Sequence, residues 1–469
     1  MNRFITILRR KKRLIKNLHF IKRAGAIGIS VLMLSLSLVG CEHNEQLPVS
    51  NQETSAHVLT SKVSEEIKTE ELKGEFMFWH FDINEGIKLA RAFEAKHPGV
   101  KINVQTNKEP YEHYSFPFGF YENYPDVCAA EIGYVKRLVN IPDALEDLSL
   151  PPYNAEELTG KMVPYTVDVG RSDDGKIKAL TNSAIPGGIG YKRDIARKYF
   201  GTDDPDVIAE MLSSTEKIID TAKKLRERSE GKVKLVPGHN ELMIIYLAGR
   251  SEGWIKEGKL NIDPKMLEYI DLQKQLRDMG QDGGLEAWTP SWQKAVADDS
   301  YFMFAIPTWG IPYIIEIYDT VNKDTGRWGI AKPTYPYFWG GTWYGITKKS
   351  TPEKKKLAWE FIKFICTDTE LLESIANSPG AFINNTEMIE KLSKDAGFIN
   401  KTINQNLYEV FKSELSKVNG KLVQRYDTSF ENMFVDFVLS YLTGNMSKEE
   451  ALNYFKESVK EDFKDIVVE

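Results

Sequence analysis

The sequence predicts an α/β protein, and three observations carry the prediction. Short apolar runs alternate with segments whose apolar residues recur at helical spacing, residues 75 to 104 already hold a strand, a helix and a second strand, and caps mark where the helices begin. Phe76-Met77-Phe78-Trp79 is the first apolar run. Asp82, with Glu85 three residues on, has the form of a capping box; Ile83, Ile87, Ala90 and Phe93 then follow along one helix face until Pro98-Gly99 stops it. Val100 to Val104 alternates as a strand, so the unit reads as parallel with a right-handed crossover. Further strands are predicted at Asp126 to Ala129, near Val233 to Val236, and at Phe302 to Ile306, Trp328 to Ala331 and Trp343 to Thr347. Helices are predicted at Ser214 to Arg228, Pro264 to Met279, Pro352 to Thr367 and Lys448 to Asp465. Thr351-Pro352 opens the third, and Ser447 with Glu450 three residues later opens the fourth.

At 469 residues the chain is long enough for two or three domains, and 42 % hydrophobic with 27 % charged residues is an ordinary globular make-up, which excludes wholesale disorder. Its charge is uneven. Residues 1 to 40 carry nine Lys and Arg and no acid, leaving 52 positive against 67 negative side chains in the rest. A body so acidic repels a phosphate backbone, so nucleic acid is not an expected partner. The basic run from Arg9 to Arg13 precedes an apolar stretch of 16 residues, Ala24 to Val39, in the order of a secretory signal. That stretch ends in Leu38-Val39-Gly40-Cys41, which resembles the lipobox of bacterial lipoproteins, where the cysteine thiol receives a diacylglyceryl group and becomes the first mature residue. The alternative is an uncleaved anchor, for which the stretch is short of the roughly 20 residues of a spanning helix. Either way the body lies outside the cytoplasm. Residues 42 to 73 are polar and rich in Glu, Ser, Thr and Lys, a flexible tether with a mean reach of roughly 30 Å. Cys128 and Cys366 sit among apolar neighbours and read as small buried hydrophobes, and no Cys or His cluster suggests a metal, so neither metal nor cofactor is expected.

In open parallel sheets ligands sit outside the carboxyl ends of the strands. That rule singles out Trp79, His80, Phe81 and Asp82 after the first strand, Glu131 after the third, and Thr308-Trp309 after Phe302 to Ile306. Rings pack on the C–H face of a pyranose while carboxylates take its hydroxyls, so this mixture suits a polyhydroxylated ligand and suits a phosphate poorly. Asp82 either accepts a sugar hydroxyl or spends its oxygen as a helix N-cap. His80 is a hydroxyl ligand; with no second histidine nearby a metal role lacks support. Trp79 meets the ligand unless strand alternation turns it inward. Glu131, a charge directly after an apolar strand, needs solvent or a polar partner. Trp309 and Trp343 are the favoured stacking rings, while Trp254, Trp288, Trp292, Trp328 and Trp359 are assigned to core or rim, with Trp292 the readiest exception.

Five segments, in order, resemble the extracellular solute-binding proteins of ATP-driven importers, in the sugar-binding group that includes maltose-binding protein. They are "FMFWHFDINEGIKLARAFEAKHPGVKINV", "YPDVCAAEIGYVKRLVNIPDALEDLS", "IGYKRDIARKYFG", "FAIPTWGIP" and "GGTWYGITKKSTPEKKKLAWEFIKFICTD", spread over nearly the whole mature chain. One departure is Asp298-Asp299-Ser300, where the family commonly has Asp-Gly before the strand. The resemblance implies a two-lobed periplasmic-binding-protein-like fold with a hinge crossed several times. It implies a signal peptide at 1–40, a lipidated Cys41 and tether at 41–73, lobe one at 74–183 plus 335–378, and lobe two at 184–334 plus 379–469. Thr181 to Gly188, Tyr335 to Gly341 and Ser378-Pro379-Gly380 are the candidate crossings. The implied function is to bind an extracellular carbohydrate and deliver it to ABC transporter permease subunits, as a monomer held to the membrane by its lipid. A lipid-anchored glycoside hydrolase would also bring acids and rings to a cleft, but no repeating barrel unit, Gly-x-Ser-x-Gly elbow or phosphate-binding loop is visible. A sugar-sensing ectodomain would share the same body.

Overall fold

The computed structural model describes residues 71–106 and 124–469; the predicted signal segment, Cys41 and most of the tether lie outside them. The first unit forms as its spacing requires. Strand β1 (Gly74–His80), helix α1 (Ile83–Lys96) and strand β2 (Val100–Thr106) build a parallel pair, with Leu89, Ala90 and Phe93 buried beneath the helix. Strand β3 (Val127–Glu131) adds to the other side of β1 in parallel, setting Phe78 opposite Val127. Helix α2 (Ile132–Val139) follows it directly. Asp126, ahead of the strand, is a buried anchor that accepts from the Met77 amide and the Ser350 hydroxyl. Cys128 and Cys366 are free and buried, as small hydrophobes would be.

A second sheet is built around β4 (Pro186–Lys192), which begins at the end of the candidate crossing Thr181 to Gly188. β4 is flanked by β5 (Met303–Pro307) and β6 (Trp328–Ala331), with the short β7 (Tyr337–Phe338) also on it, all antiparallel to β4. Gly187 and Gly188, expected in an extended crossing segment, lie at the start of this strand. These glycines are packing sites: a Cβ on Gly187 would lie 2.2 Å from the Tyr337 ring, one on Gly188 2.6 Å from Ile330, and one on Gly190 2.5 Å from Ile306. The crossing between sheets falls just before, at Thr181 to Ile185. The predicted strand near Val233 to Val236 is an extended segment joined by single parallel bridges, Lys234 to Tyr301 and Val236 to Asp282, not a ladder.

Strand β8 (Thr342–Ile346) returns to the first sheet, antiparallel to β3, giving the order β8-β3-β1-β2. The predicted helices appear as α3 (Thr215–Arg228), α5 (Pro264–Asp278), α6 (Pro352–Thr367) and α8 (Lys448–Asp462); α4 (Asn240–Ala248) and α7 (Asp427–Leu442) are additional. Ser447 and Glu450 complete the capping box of α8. One core buries the first sheet under α1 and α6. A second gathers β4 and β5 with α3, α4, α5, α7 and α8.

Candidate functional site

The carboxyl edge of the first sheet carries most of the predicted residues, but several are held by the fold. Asp82 is exposed and caps α1, its Oδ1 accepting from the Asn84 and Glu85 amides at 2.9 and 3.2 Å. His80 is buried: its Nδ1 accepts from the Asp82 amide at 3.0 Å, and its ring stacks on Phe81 at 4.9 Å. Burial lowers its pKa to about 4, against the pull of Asp82, so it is a neutral ring under the helix start. Its Nε2 is buried without a hydrogen-bond partner among the described residues. Trp79 is only 8 % exposed, and both its neighbours Phe78 and His80 are buried too, so the end of β1 is enclosed on both faces and Trp79 offers little surface to a ligand, against its assignment as a ligand residue.

Glu131 ends β3 and caps α2, accepting from the Gly133 amide at 2.6 Å. Half-buried there, its pKa is pushed up to about 7, chiefly by desolvation, with the Gly133 and Ile132 amides opposing. Near neutral pH such a carboxyl both donates to and accepts from hydroxyls. The register sets Glu131 opposite Thr342, three residues beyond Trp339 along the chain. The chain thus runs from Trp339 through Gly340 and Gly341 to the strand partner of Glu131.

Those rings are Trp288, Trp309 and Trp339, all half-buried. Trp309 emerges after β5, as the sequence predicted, and lies nearly parallel to Trp288 at 6.0 Å and 17°. Trp339 meets it edge-on at 5.4 Å, and Trp309 Nε1 donates to the Trp339 carbonyl at 2.8 Å. Beside them Phe338 packs on Tyr165 at 4.5 Å. The chain leaves this cluster through Gly340 and Gly341, with φ of +97° and +119°. A Cβ at Gly340 would sit 2.9 Å from Trp309 Nε1, so both the backbone angle and the ring demand glycine there.

One tryptophan assignment is corrected. Trp343 is 1 % exposed, donates to the Thr166 carbonyl at 2.8 Å and belongs to the first-sheet interior, so neither face of its ring is open. Trp292 is equally buried and donates to Glu241 at 2.7 Å, so it is core, while Trp288, assigned to core or rim, is half-buried against Trp309. Trp288 holds φ +68°, a left-handed conformation uncommon for a bulky residue. Trp339 was legible only as part of a crossing; its signal was an aromatic beside a double glycine. Among the described residues no group of three or more His, Cys, Asp or Glu is placed to hold a metal ion.

The acids beneath the site make stability depend on pH. Glu241 on α4 is buried and accepts from Trp292 Nε1 and the Ala305 amide, yet desolvation pushes its pKa up to about 7, as for Glu131. Raised carboxyls contribute stability that is complete below about pH 4 and is lost as pH rises toward 7. His80 and His239, lowered to about 4 by burial, contribute stability above about pH 6.5 that is lost on acidification toward 4. Melting temperature is therefore expected to peak between these limits and to decline toward pH 8. Glu241→Gln should lower the melting temperature overall, because one acceptor is lost, while flattening the alkaline decline. An unaltered alkaline slope by scanning calorimetry would show that Glu241 does not hold the proton.

Two mixed α/β sheets with an aromatic and acidic edge where the chain passes between them define a two-lobed solute-binding protein. Sequence comparison agrees: the model of the bacterial extracellular solute-binding protein family matches residues 88–401, and the chain belongs to that family. Its members are binding proteins rather than enzymes and work outside the cytoplasm. Among curated proteins none matches the chain. Solved structures share the fold at low identity. An extracellular solute-binding protein of family 1 superposes with TM-score 0.73 at 18 % identity, covering 82 % of this chain and 99 % of its own. The sugar-binding protein MalE from Xanthomonas citri gives 0.66 at 14 %, covering 83 % and 97 %. The galacto-N-biose/lacto-N-biose I-binding protein of an ABC transporter from Bifidobacterium longum, in complex with lacto-N-biose, gives 0.64 at 16 %, covering 85 % and 99 %. Among the described residues no helix is long and apolar enough to cross a membrane.

Proposed function

We propose that the chain binds an extracellular carbohydrate between two lobes and hands it, chemically unchanged, to the permease of an ABC importer. The observation that carries this reading is the half-buried trio Trp288, Trp309 and Trp339, flat apolar faces from which Gly340-Gly341 leads to Thr342, the strand partner of Glu131. The lobes are 74–183 with the returning segment to 378, and 184–334 with 379–469. The pairing of Tyr337 and Phe338 with β4 favours a crossing at Trp339 rather than Tyr335. A bound sugar touching both lobes stabilises the closed form by its differential contacts. Of the first-edge residues, Glu131 is the direct ligand; Asp82 offers only its second oxygen, and His80 acts through its buried ring.

A thermal-shift screen with maltose, maltotriose, lactose and galactobiose tests this. A sugar at 100 times its dissociation constant stabilises the native state by about 2.7 kcal/mol. The same sugar should shrink the radius of gyration in solution scattering and be recovered intact. Hydrolysis products would move the chain to the glycosidase reading.

We further propose that Cys41 carries a lipid, so that the body works as a monomer tethered to the outer face of the membrane. The support is the order of basic run, apolar stretch and Leu-Val-Gly-Cys. Cys41→Ser should release the protein from the membrane fraction; unchanged membrane retention with an intact first forty residues by mass spectrometry would leave an uncleaved anchor instead.

A further inference from the structure

Helix α6 turns its apolar face onto the first sheet, and its flank meets the segment from Pro152 to Leu158. Between them lies a cavity of about 620 Å³, inside the range of roughly 300–1,000 Å³ usual for small-molecule sites. Tyr153 and Trp359, 9 % and 7 % exposed and edge-on at 5.6 Å, form its aromatic floor. The strand register puts this cavity away from the tryptophan cluster. Thr342 faces Glu131 at the carboxyl end of β3, so β8 runs back to Ile346, opposite Val127 at the amino end, and α6 starts soon after. Its first turns pair Lys354 with Asp126, which precedes β3, and Lys355 with Glu146, whose amide donates to the Ile346 carbonyl. Ligands of the cleft meet the opposite edge of the sheet.

The two walls of the cavity differ in what they leave open. On the first, the Tyr153 hydroxyl, the Asn154 side-chain amide and the Glu157 carboxylate have no hydrogen-bond or ion-pair partner among the described residues. On the second, the cations of α6 are engaged: Lys355 pairs with Glu146 at 2.7 Å and donates to the Lys348 carbonyl at 2.8 Å, Lys363 pairs with Glu360 at 2.8 Å, and Lys356 is held as well. A carboxylate or phosphate would have to displace an existing ion pair and would face Glu157, so the cavity suits an anion poorly. A hydrocarbon would leave the Tyr153 and Asn154 groups without water or partner. An uncharged ligand with an apolar face for the rings and hydroxyls for the open wall matches both, and a pyranose is such a ligand.

We propose that this cavity is a second carbohydrate site, which takes a short uncharged saccharide through Tyr153, Asn154 and Glu157 over Trp359. It goes beyond the cleft reading and does not depend on it. Every lining residue belongs to lobe one, so a sugar held here closes nothing, and the chain binds sugar in two modes, one coupled to closure and one not.

The test irradiates the full chain with diazirine-bearing maltotriose and, separately, diazirine-bearing lactose, and locates the adducts by peptide mass spectrometry. Saturable adducts are expected on peptides spanning 150–160 and 352–363, competed by the unmodified sugar and retained in Trp309→Ala. They should fall about tenfold in a variant combining Tyr153→Phe, Asn154→Gly and Glu157→Ala, the scale of one or two lost hydrogen bonds. Phenylalanine keeps the ring of the floor, and glycine accepts the φ of +50° that Asn154 holds. A parental melting temperature and unchanged cleft adducts in this variant separate a lost contact from a lost fold; should it unfold, Asn154→Gly alone decides. Adducts on cleft peptides only, no adducts at all, or outer adducts indifferent to competitor and variant would overturn the second site. Outer adducts without cleft adducts would uphold it and remove the cleft reading instead.

Discussion

Trp309→Ala is expected to weaken sugar binding about thirtyfold. The estimate follows from about 80 Å² of apolar contact between ring and sugar, on the order of 2 kcal/mol. The structure adds why this ring is preformed. Its Nε1 is tied to the Trp339 carbonyl, its face is backed by Trp288, and the loop after it is pinned by Gly310 and Pro312, so little side-chain freedom remains to be lost on binding. Because the ring is only half-buried, the unliganded variant should melt close to the parent. Calorimetry finding parental affinity, or a badly destabilised free variant, would return Trp309 to the core.

Trp343→Ala should do the reverse and cost about 3–5 kcal/mol of stability. The indole fills the first-sheet interior, with Gly341 and Gly170 drawn so close that a Cβ on either would lie 2.8 or 3.3 Å from the ring. Its removal also takes away the indole hydrogen bond to the Thr166 carbonyl. Denaturant titration measures the loss, and the folded fraction should bind sugar as the parent does. A variant of parental stability but poor affinity would restore Trp343 to the ligand surface.

These two rings show where sequence patterns stop being informative. The β1-α1-β2 unit was legible because its helix has one apolar face and a defined cap and stop. Helix α6 was legible to the residue from Thr351-Pro352 and its apolar spacing. Trp343 was not, since β8 is buried on both faces from Trp343 to Ile346, and alternation then says nothing about which way a residue points. Trp288 and Trp292 lie four apart, and spacing cannot choose between them; the buried carboxylate of Glu241, more than forty residues earlier, claims the Trp292 N–H and leaves Trp288 outside. At Gly187, Gly188 and Gly190 the sequence does not show which ring or branched side chain will fill the space a missing Cβ leaves. The five family segments carried the class of protein, while the individual contacts depended on pairings distant in the chain.

The tryptophan cluster also has an optical consequence. Three indoles with centroids 5.4 to 6.1 Å apart are close enough for their excited states to couple. The chain has nine tryptophans, and Trp254, Trp292, Trp328 and Trp343 are sealed in the interior, where their emission is blind to the cleft. A saturated sugar sliding over the Trp309 face would alter the dipolar environment of the coupled set, so near-ultraviolet circular dichroism and red-edge fluorescence would report occupancy of this unmodified chain without a dye.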